Sequence, residues 1–262
     1  MPSCFPPSAR VEIGRCQSDL EIFEFINLSQ PNLVIHAACC YGRSNETFQE
    51  IINANIGLGV SILDALSRIA KPVSFINIAT SLPANTNFYA FTKNQFTQFG
   101  RWFCENSQNK LQFINLVVEH FYGAEESGDK FISYLLNQCI SNAPEINLTE
   151  GNQKRDFIYI DDLLSACKVV VNKLSEIQQF QSIHIGSGRS TSIKELSLLI
   201  LRLTKSRSKL KFGALPYRPN ELMNSKIDLS VIKSFGWMPK VPIECGIKKI
   251  ILEKNARNEH KL

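Results

Sequence analysis

The stretch "SFINIATSLPANTNFYAFTKNQF", residues 74–96, decides how the whole chain is read. It passes from a β-rich run, through Thr80 and Ser81 and a short polar loop, into a segment of helical period that carries Tyr89 and Lys93. Residues four apart share a helix face. A hydroxyl at the end of the strand can therefore meet a phenol and an ammonium at the sheet edge where parallel α/β proteins hold ligands. One reading is a proton-transfer device. A tyrosine ionises near pH ~10 and needs a shift of about three units to act near neutrality, and a lysine one turn away favours the phenolate. The other reading is a strand, a turn and an ordinary helix start with an exposed Tyr and a solvated Lys. The pattern alone leaves both open.

On either side, strand-length apolar runs alternate with helical stretches. The runs are LVIHA (33–37), VSFINI (73–78), FINLVV (113–118) and SIHI (182–185). Between the first two, Ile51, Ile52, Ile56, Val60, Leu63 and Leu66 recur at helical spacing, so 48–69 reads as a crossover helix between parallel strands. Phe96, Phe99 and Phe103 continue the helix that begins at Tyr89. The alternation predicts an α/β fold, a parallel sheet with helices on both faces. From about residue 121 the character changes: a polar loop, the helix FISYLLNQCI, the strand EINLT and then GNQKRDF suggest a smaller second lobe. IDDLLSACKVVVNKL and TSIKELSLLILRLTK read as helices, the second capped by Thr191 or Ser192. Asp161 and Asp162, at the start of the first, read as caps rather than an acid/base pair.

Composition bounds the rest. The 262 residues are 44% hydrophobic and 20% charged, with a net charge of +5 spread along the chain apart from a basic end after Lys248. That balance predicts no nucleic-acid partner. Eight cysteines form no C-x-x-C pair and four histidines no H-x-x-x-H, so no metal site is expected and the thiols read as reduced and mostly buried. No apolar run reaches the ~18 residues of a membrane span, and MPSCFPPSAR has no signal core, which reads as a cytoplasmic protein without a membrane partner.

Taken in order, the motifs resemble the extended short-chain dehydrogenase/reductase family of sugar-nucleotide epimerases, dehydratases and reductases. LVIHAACCYGR is similar to its strand and loop beside the cofactor, and NANIGLGVSILDAL to its next helix. SFINIATSLPANTNFYAFTK resembles the catalytic strand and Y-x-x-x-K, VVEHFYGA the N-V-Y-G-P turn with His120 in the Asn position, and GNQKRDFIYIDD the G-x-x-x-R-D-F segment. LPYRPNELMNSKIDLSVIKSFGWMPK resembles the family's ending, and the likeness covers about 11–252. The short loop from Thr80 to Tyr89 looks most like reductases of nucleotide-activated 4-keto-6-deoxyhexoses, of the CDP-abequose and CDP-paratose synthase type.

The resemblance implies a Rossmann-like part over 1–120 and a substrate lobe over 121–262, with 156–186 returning to the first part. It implies an NAD(P)(H) cofactor held near His36, Ala37, Ala38, Tyr89, Lys93 and His120. A nucleotide-diphosphate sugar would meet Thr80, Ser81, Arg155 and Arg218. Tyr89 would protonate the sugar oxygen, Thr80 would bind that oxygen, and Lys93 would hold the cofactor ribose and lower the tyrosine pKa. A homodimer is one expected state. A 4-epimerase, a dehydratase and a non-catalytic remnant that binds a sugar nucleotide or a partner protein are the alternatives.

The family begins with a strand and G-x-x-G-x-x-G, whose glycines let the backbone approach the cofactor pyrophosphate. Here the first glycines are Gly14, Gly42 and Gly57, and the usual acidic adenine contact reads Gly14-Arg15. Without that cradle these residues alone are expected to bind the cofactor no better than about millimolar. In the strand order the resemblance implies, two strands between LVIHA and VSFINI are missing, a gap of ~14 Å. LVIHA then either pairs directly with VSFINI or leaves an unpaired apolar edge.

Overall fold

The computed structural model describes residues 16, 18–108, 110–126, 128, 130–225 and 227–259. Gly14, Arg15 and the amino-terminal stretch read above lie outside them. In chain order the elements are α1 (Asp19–Ser29), β1 (Leu33–His36), α2 (Phe48–Ile52), α3 (Leu58–Ser67), β2 (Val73–Thr80), α4 (Phe88–Asn106), β3 (Leu111–Val118), β4 (His120–Tyr122), α5 (Phe131–Ile140), β5 (Glu145–Asn147), β6 (Lys154–Tyr159), α6 (Ile160–Asn172), β7 (Phe180–Ile185), β8 (Ser190–Ser192), α7 (Ile193–Thr204), β9 (Lys209–Lys211), α8 (Ser230–Ser234) and α9 (Ile243–Glu259). The chain divides into two compact units. Residues 1–118 and 168–184 form the first, and 119–167 and 185–262 the second.

The first unit is built on a sheet of order β1-β2-β3-β7. β1 lies directly against β2, in parallel, with Leu33 opposite Ser74 and His36 opposite Asn77. The first of the two alternatives for LVIHA therefore holds, and the expected gap does not exist. Neighbouring parallel strands need only one crossover, and 48–67 supplies it. Among the described residues no strand pairs with the other edge of β1. β2 and β3 run in register from Val73–Leu111 to Thr80–Val118. Their alternate side chains join Leu63, Leu66, Phe96 and Cys104 in one apolar core, where Phe75 and Phe113 stack with centroids 5.3 Å apart. A Cβ on Gly59 would stand 2.3 Å from the Phe96 ring, so that glycine lets α3 pack closely on α4.

A polar line crosses the same sheet. His36 Nδ1 is 3.4 Å from Asn77 Oδ1, Asn77 Nδ2 donates to Asn115 Oδ1 at 2.8 Å, and Asn115 Nδ2 donates to Ser182 Oγ at 3.4 Å. Both asparagines are buried, so their amides depend on one another in place of water.

The crossover helix is not uniform. Residues Asn53–Gly57 form one π-turn between α2 and α3, which turns the fully buried Asn55 inward. Thr47 and Glu50 close a capping box on α2, and Ser192 with Glu195 does so on α7. In the second unit, α5, α7 and α9 supply Leu135, Leu136, Leu196, Ile200, Ile247 and Ile250 to a separate core with Tyr122 and Tyr159. The cysteines correct one expectation. Seven lie in the described residues, and only Cys104 and Cys139 are buried. No described helix is long and apolar enough to cross a membrane.

Candidate active site

β2 ends at Thr80, and after the loop Asn87 caps α4, its Oδ1 accepting from Ala90 N at 2.8 Å. Extended residues then give way to helix at Phe88, which carries Tyr89 and Lys93 one turn apart. The Thr80 hydroxyl hydrogen-bonds the Tyr89 phenol. Ser81 follows at the strand end, its N–H donating to Val118 O. The loop after β1 begins at Ala37 and Ala38, both exposed, and continues through Cys39 and Cys40 to Tyr41. Asn55 fixes it: Cys40 N donates to Asn55 Oδ1 at 2.7 Å, and Asn55 Nδ2 donates to Cys40 O and to Thr92 Oγ1, both at 2.9 Å. One side chain thus ties the loop to the helix of Tyr89 and Lys93.

Lys93 is 1% exposed, and its Nζ has no hydrogen-bond partner among the described residues. Burial brings its pKa down to about 8. His36 is similar: buried, with no partner for Nε2, and lowered to about 4 by burial and then by the Lys93 charge, against the Asn77 hydrogen bond. The imidazole is neutral at physiological pH. Tyr89 departs from expectation. Burial raises its pKa to about 12, and Thr80, Arg43 and Tyr41 pull it back only in part; Lys93 is not among the groups that lower it. A phenolate withdrawn from water is costly, and a lysine whose own charge is disfavoured by burial offers little compensation.

In the second unit, His120 opens β4, its Nδ1 3.4 Å from Oε2 of the buried Glu119 and its ring edge-on to Phe157. Ser225 Oγ donates to the other Glu119 oxygen at 2.5 Å. Arg155 is buried on β6, paired with Glu221 and donating to the carbonyls of Leu222 and Lys154. Arg218 is exposed in the turn that its carbonyl closes with Glu221 N. Asp156 accepts from Ser187 N, Ser187 Oγ and Gly188 N, each at 2.7 Å; burial, with help from Glu119, still holds its pKa above the usual range. Asp161 and Asp162 stand in the first turn of α6. Asp162 also bonds outside the helix. It is buried and accepts from Lys240 N at 3.0 Å and Val241 N at 2.8 Å, while Asp161 pairs with Lys249.

Sequence reasoning missed Tyr41 and Arg43. The Tyr41 ring lies 4.8 Å from that of Tyr89, and the Arg43 guanidinium sits 5.0 Å over Tyr41. An aromatic followed by Gly-Arg directly after a cofactor-side strand was the available signal.

A parallel α/β sheet whose second strand delivers a Thr–Tyr hydrogen bond beside a buried, unpartnered Tyr-x-x-x-Lys lysine defines a short-chain dehydrogenase/reductase. The chain belongs to the NAD dependent epimerase/dehydratase family, whose model matches residues 6–186. It is 29% identical over 245 residues to a CDP-abequose synthase of Salmonella muenchen, covering 91% of this chain and 79% of that protein. It is 21% identical to a GDP-L-colitose synthase of Yersinia pseudotuberculosis, over 87% of this chain and 82% of that one. Among solved structures it resembles the UDP-glucose 4-epimerase of Thermotoga maritima with UDP-glucose, with a TM-score of 0.80, 19% identity and coverage of 91% and 82%. The UDP-glucuronic acid 4-epimerase of Bacillus cereus, in complex with UDP-glucuronic acid and NAD, gives a TM-score of 0.78 at 22% identity, over 88% of this chain and 78% of that one.

Proposed function

We propose that this protein is an NAD(P)-dependent reductase of a nucleotide-activated 4-keto-6-deoxyhexose, working in the cytoplasm on deoxysugars destined for surface polysaccharide. The observation that carries the reading is Lys93: an ammonium buried to 1% exposure with an unpartnered Nζ fits a site whose missing acceptors come with a ligand. The hydroxyls of a nicotinamide ribose have the right chemistry, so the residues present fit that end of the cofactor. Lys93 and Tyr89 would hold the ribose, with His36, Ala37 and Ala38 along the strand and loop beside it. When bound, the cofactor supplies the hydride. Thr80 and Ser81 would orient the ketone oxygen, and Tyr89 would give it the proton from Oη. The Thr80 hydroxyl and the nearby Arg43 charge would ease the departure of that proton, which burial opposes. For the sugar diphosphate the reading assigns Arg218, whose guanidinium is exposed, while Arg155 holds the 221–222 segment through Glu221 and Leu222. The exposed Phe48, Phe91, Phe99 and Trp102 support self-association, with a homodimer the proposed form.

The similar solved structures favour one second reading, a sugar-nucleotide 4-epimerase. Net loss of NAD(P)H absorbance on adding a CDP-4-keto-6-deoxyhexose separates the two, because an epimerase consumes no reduced cofactor. In the same assay Tyr89→Phe is expected to lower kcat by roughly 10²–10⁴ while cofactor affinity by calorimetry stays within a few-fold. A variant turning over at the wild-type rate would remove Tyr89 as the acid.

A further inference from the structure

The contact between Tyr41 and Tyr89 is built by features far apart in sequence. Gly42 has φ +68°, and a Cβ there would meet Ile51 Cδ1 at 2.7 Å; this left-handed residue turns the chain back so that Arg43 covers the Tyr41 ring at 5.0 Å. The Asn55 amide holds both polar groups of the Cys40 backbone, next to Tyr41, and reaches Thr92 on the helix of Tyr89. Asn55 is fully buried and reaches these partners from the π-turn. Loop and helix are thereby fixed, and the two phenol rings meet at 4.8 Å, tilted by 34°. The Tyr41 hydroxyl is a hydrogen-bond partner of the Tyr89 phenol.

We propose that Tyr41 is a positioning residue for Tyr89: its hydroxyl donates to the Tyr89 oxygen, orients that oxygen's lone pair and stabilises the phenolate left when the proton is given away. The proposal rests on the reading of Tyr89 as a proton donor and deepens it. The groups around the pair fit the assignment. Thr80 supplies a second hydrogen bond to Tyr89, and Arg43 places positive charge beside both rings. Cys39 hydrogen-bonds Tyr41. Burial, and then the charge on Tyr89, hold the Tyr41 phenol far above its ordinary value, which favours its protonated, donating form. The hydrogen bond to Tyr41 lowers the Tyr89 pKa, as a donor to the phenolate must.

The test needs neither cofactor nor substrate, so its outcome is independent of which sugar the protein acts on. Phenol-selective sulfonyl fluorides react with the phenolate, and peptide mass spectrometry reads Tyr89 labelling apart from the other tyrosines, with Tyr89→Phe as the assignment control. In mildly alkaline buffer Tyr41→Phe, which keeps the ring under Arg43, is expected to slow Tyr89 labelling about tenfold, the loss of one hydrogen bond to a charged oxygen. A ring-fluorinated tyrosine at position 41 preserves the shape and donates more strongly, so it should speed labelling severalfold. If Tyr41 only filled space, removing its oxygen would loosen the site and leave labelling equal or faster; that result, or no response to fluorination, overturns the proposal. Should Tyr41→Phe fail to fold, the fluorinated protein decides alone.

Discussion

Lys93 in the first unit and Arg155 in the second are both cations withdrawn from water, and they are housed in opposite ways. Arg155 has a carboxylate and two backbone carbonyls as partners, whereas Lys93 has none among the described residues. The same contrast extends to their neighbours. Asp156, next to Arg155 on β6, is met by three donors, while His36 beside Lys93 keeps a bare Nε2. A buried charge that is fully partnered organises structure. A buried charge without partners weakens the fold on its own and gains its acceptors from what binds.

The comparison can be broken most forcefully at Arg155. Arg155→Met should destabilise the protein by about 3–5 kcal/mol in chemical denaturation, because it removes the guanidinium that pairs with Glu221 and donates to the Leu222 carbonyl. A loss under ~1 kcal/mol would mean that Arg155 is no more committed than Lys93. The reverse sign is expected for Lys93→Met, a gain of about 2–3 kcal/mol at neutral pH, since the variant keeps the buried stem and removes the isolated charge.

That gain has a pH signature. Lys93 has its pKa lowered from 10.5 to about 8 in the folded protein, so between those values the unfolded chain binds the extra proton. Stability therefore rises with pH across that window, and below it the full penalty of the buried ammonium is present. The wild-type minus Lys93→Met difference should shrink from pH 8 to pH 10.5, and a difference independent of pH would assign the stabilisation to packing instead. The smallest effect on stability is expected at Arg218. It is exposed, so Arg218→Ala should shift stability by no more than ~0.5 kcal/mol while raising the KM for the sugar nucleotide roughly 10–100-fold. An unchanged KM would take Arg218 out of the diphosphate site.

The sequence displayed what depends on local pattern. VSFINI reads as a strand from its β-branched and aromatic residues, the 48–69 helix from its apolar period, and the start of α7 from a Thr191 or Ser192 cap. It could not show that LVIHA lies directly beside VSFINI, because strand order follows from pairing between segments some 40 residues apart rather than from anything within either one. Arg155 and Arg218 looked alike as diphosphate ligands for a similar reason: the partner that occupies Arg155, Glu221, is 66 residues away. Tyr41 was hidden by two local irregularities, the left-handed Gly42 and the π-turn that aims Asn55. Neither belongs to a regular period, and together they make a loop residue a neighbour of Tyr89. The pKa of Tyr89 was misjudged because one favourable charge was counted without the burial that surrounds it.

The line of side chains across the sheet, His36 to Asn77 to Asn115 to Ser182, has a consequence for how the chain assembles. Hydrocarbon contacts are tolerant of misalignment, since a leucine meets an isoleucine almost as well as a valine. Amides are not: a one-residue slip of any strand would turn an asparagine to the opposite face of the sheet and strand its partner among phenylalanines. The four residues therefore act as a checksum for the central sheet. They add little to how strongly the strands attract, and they reject every alignment but one.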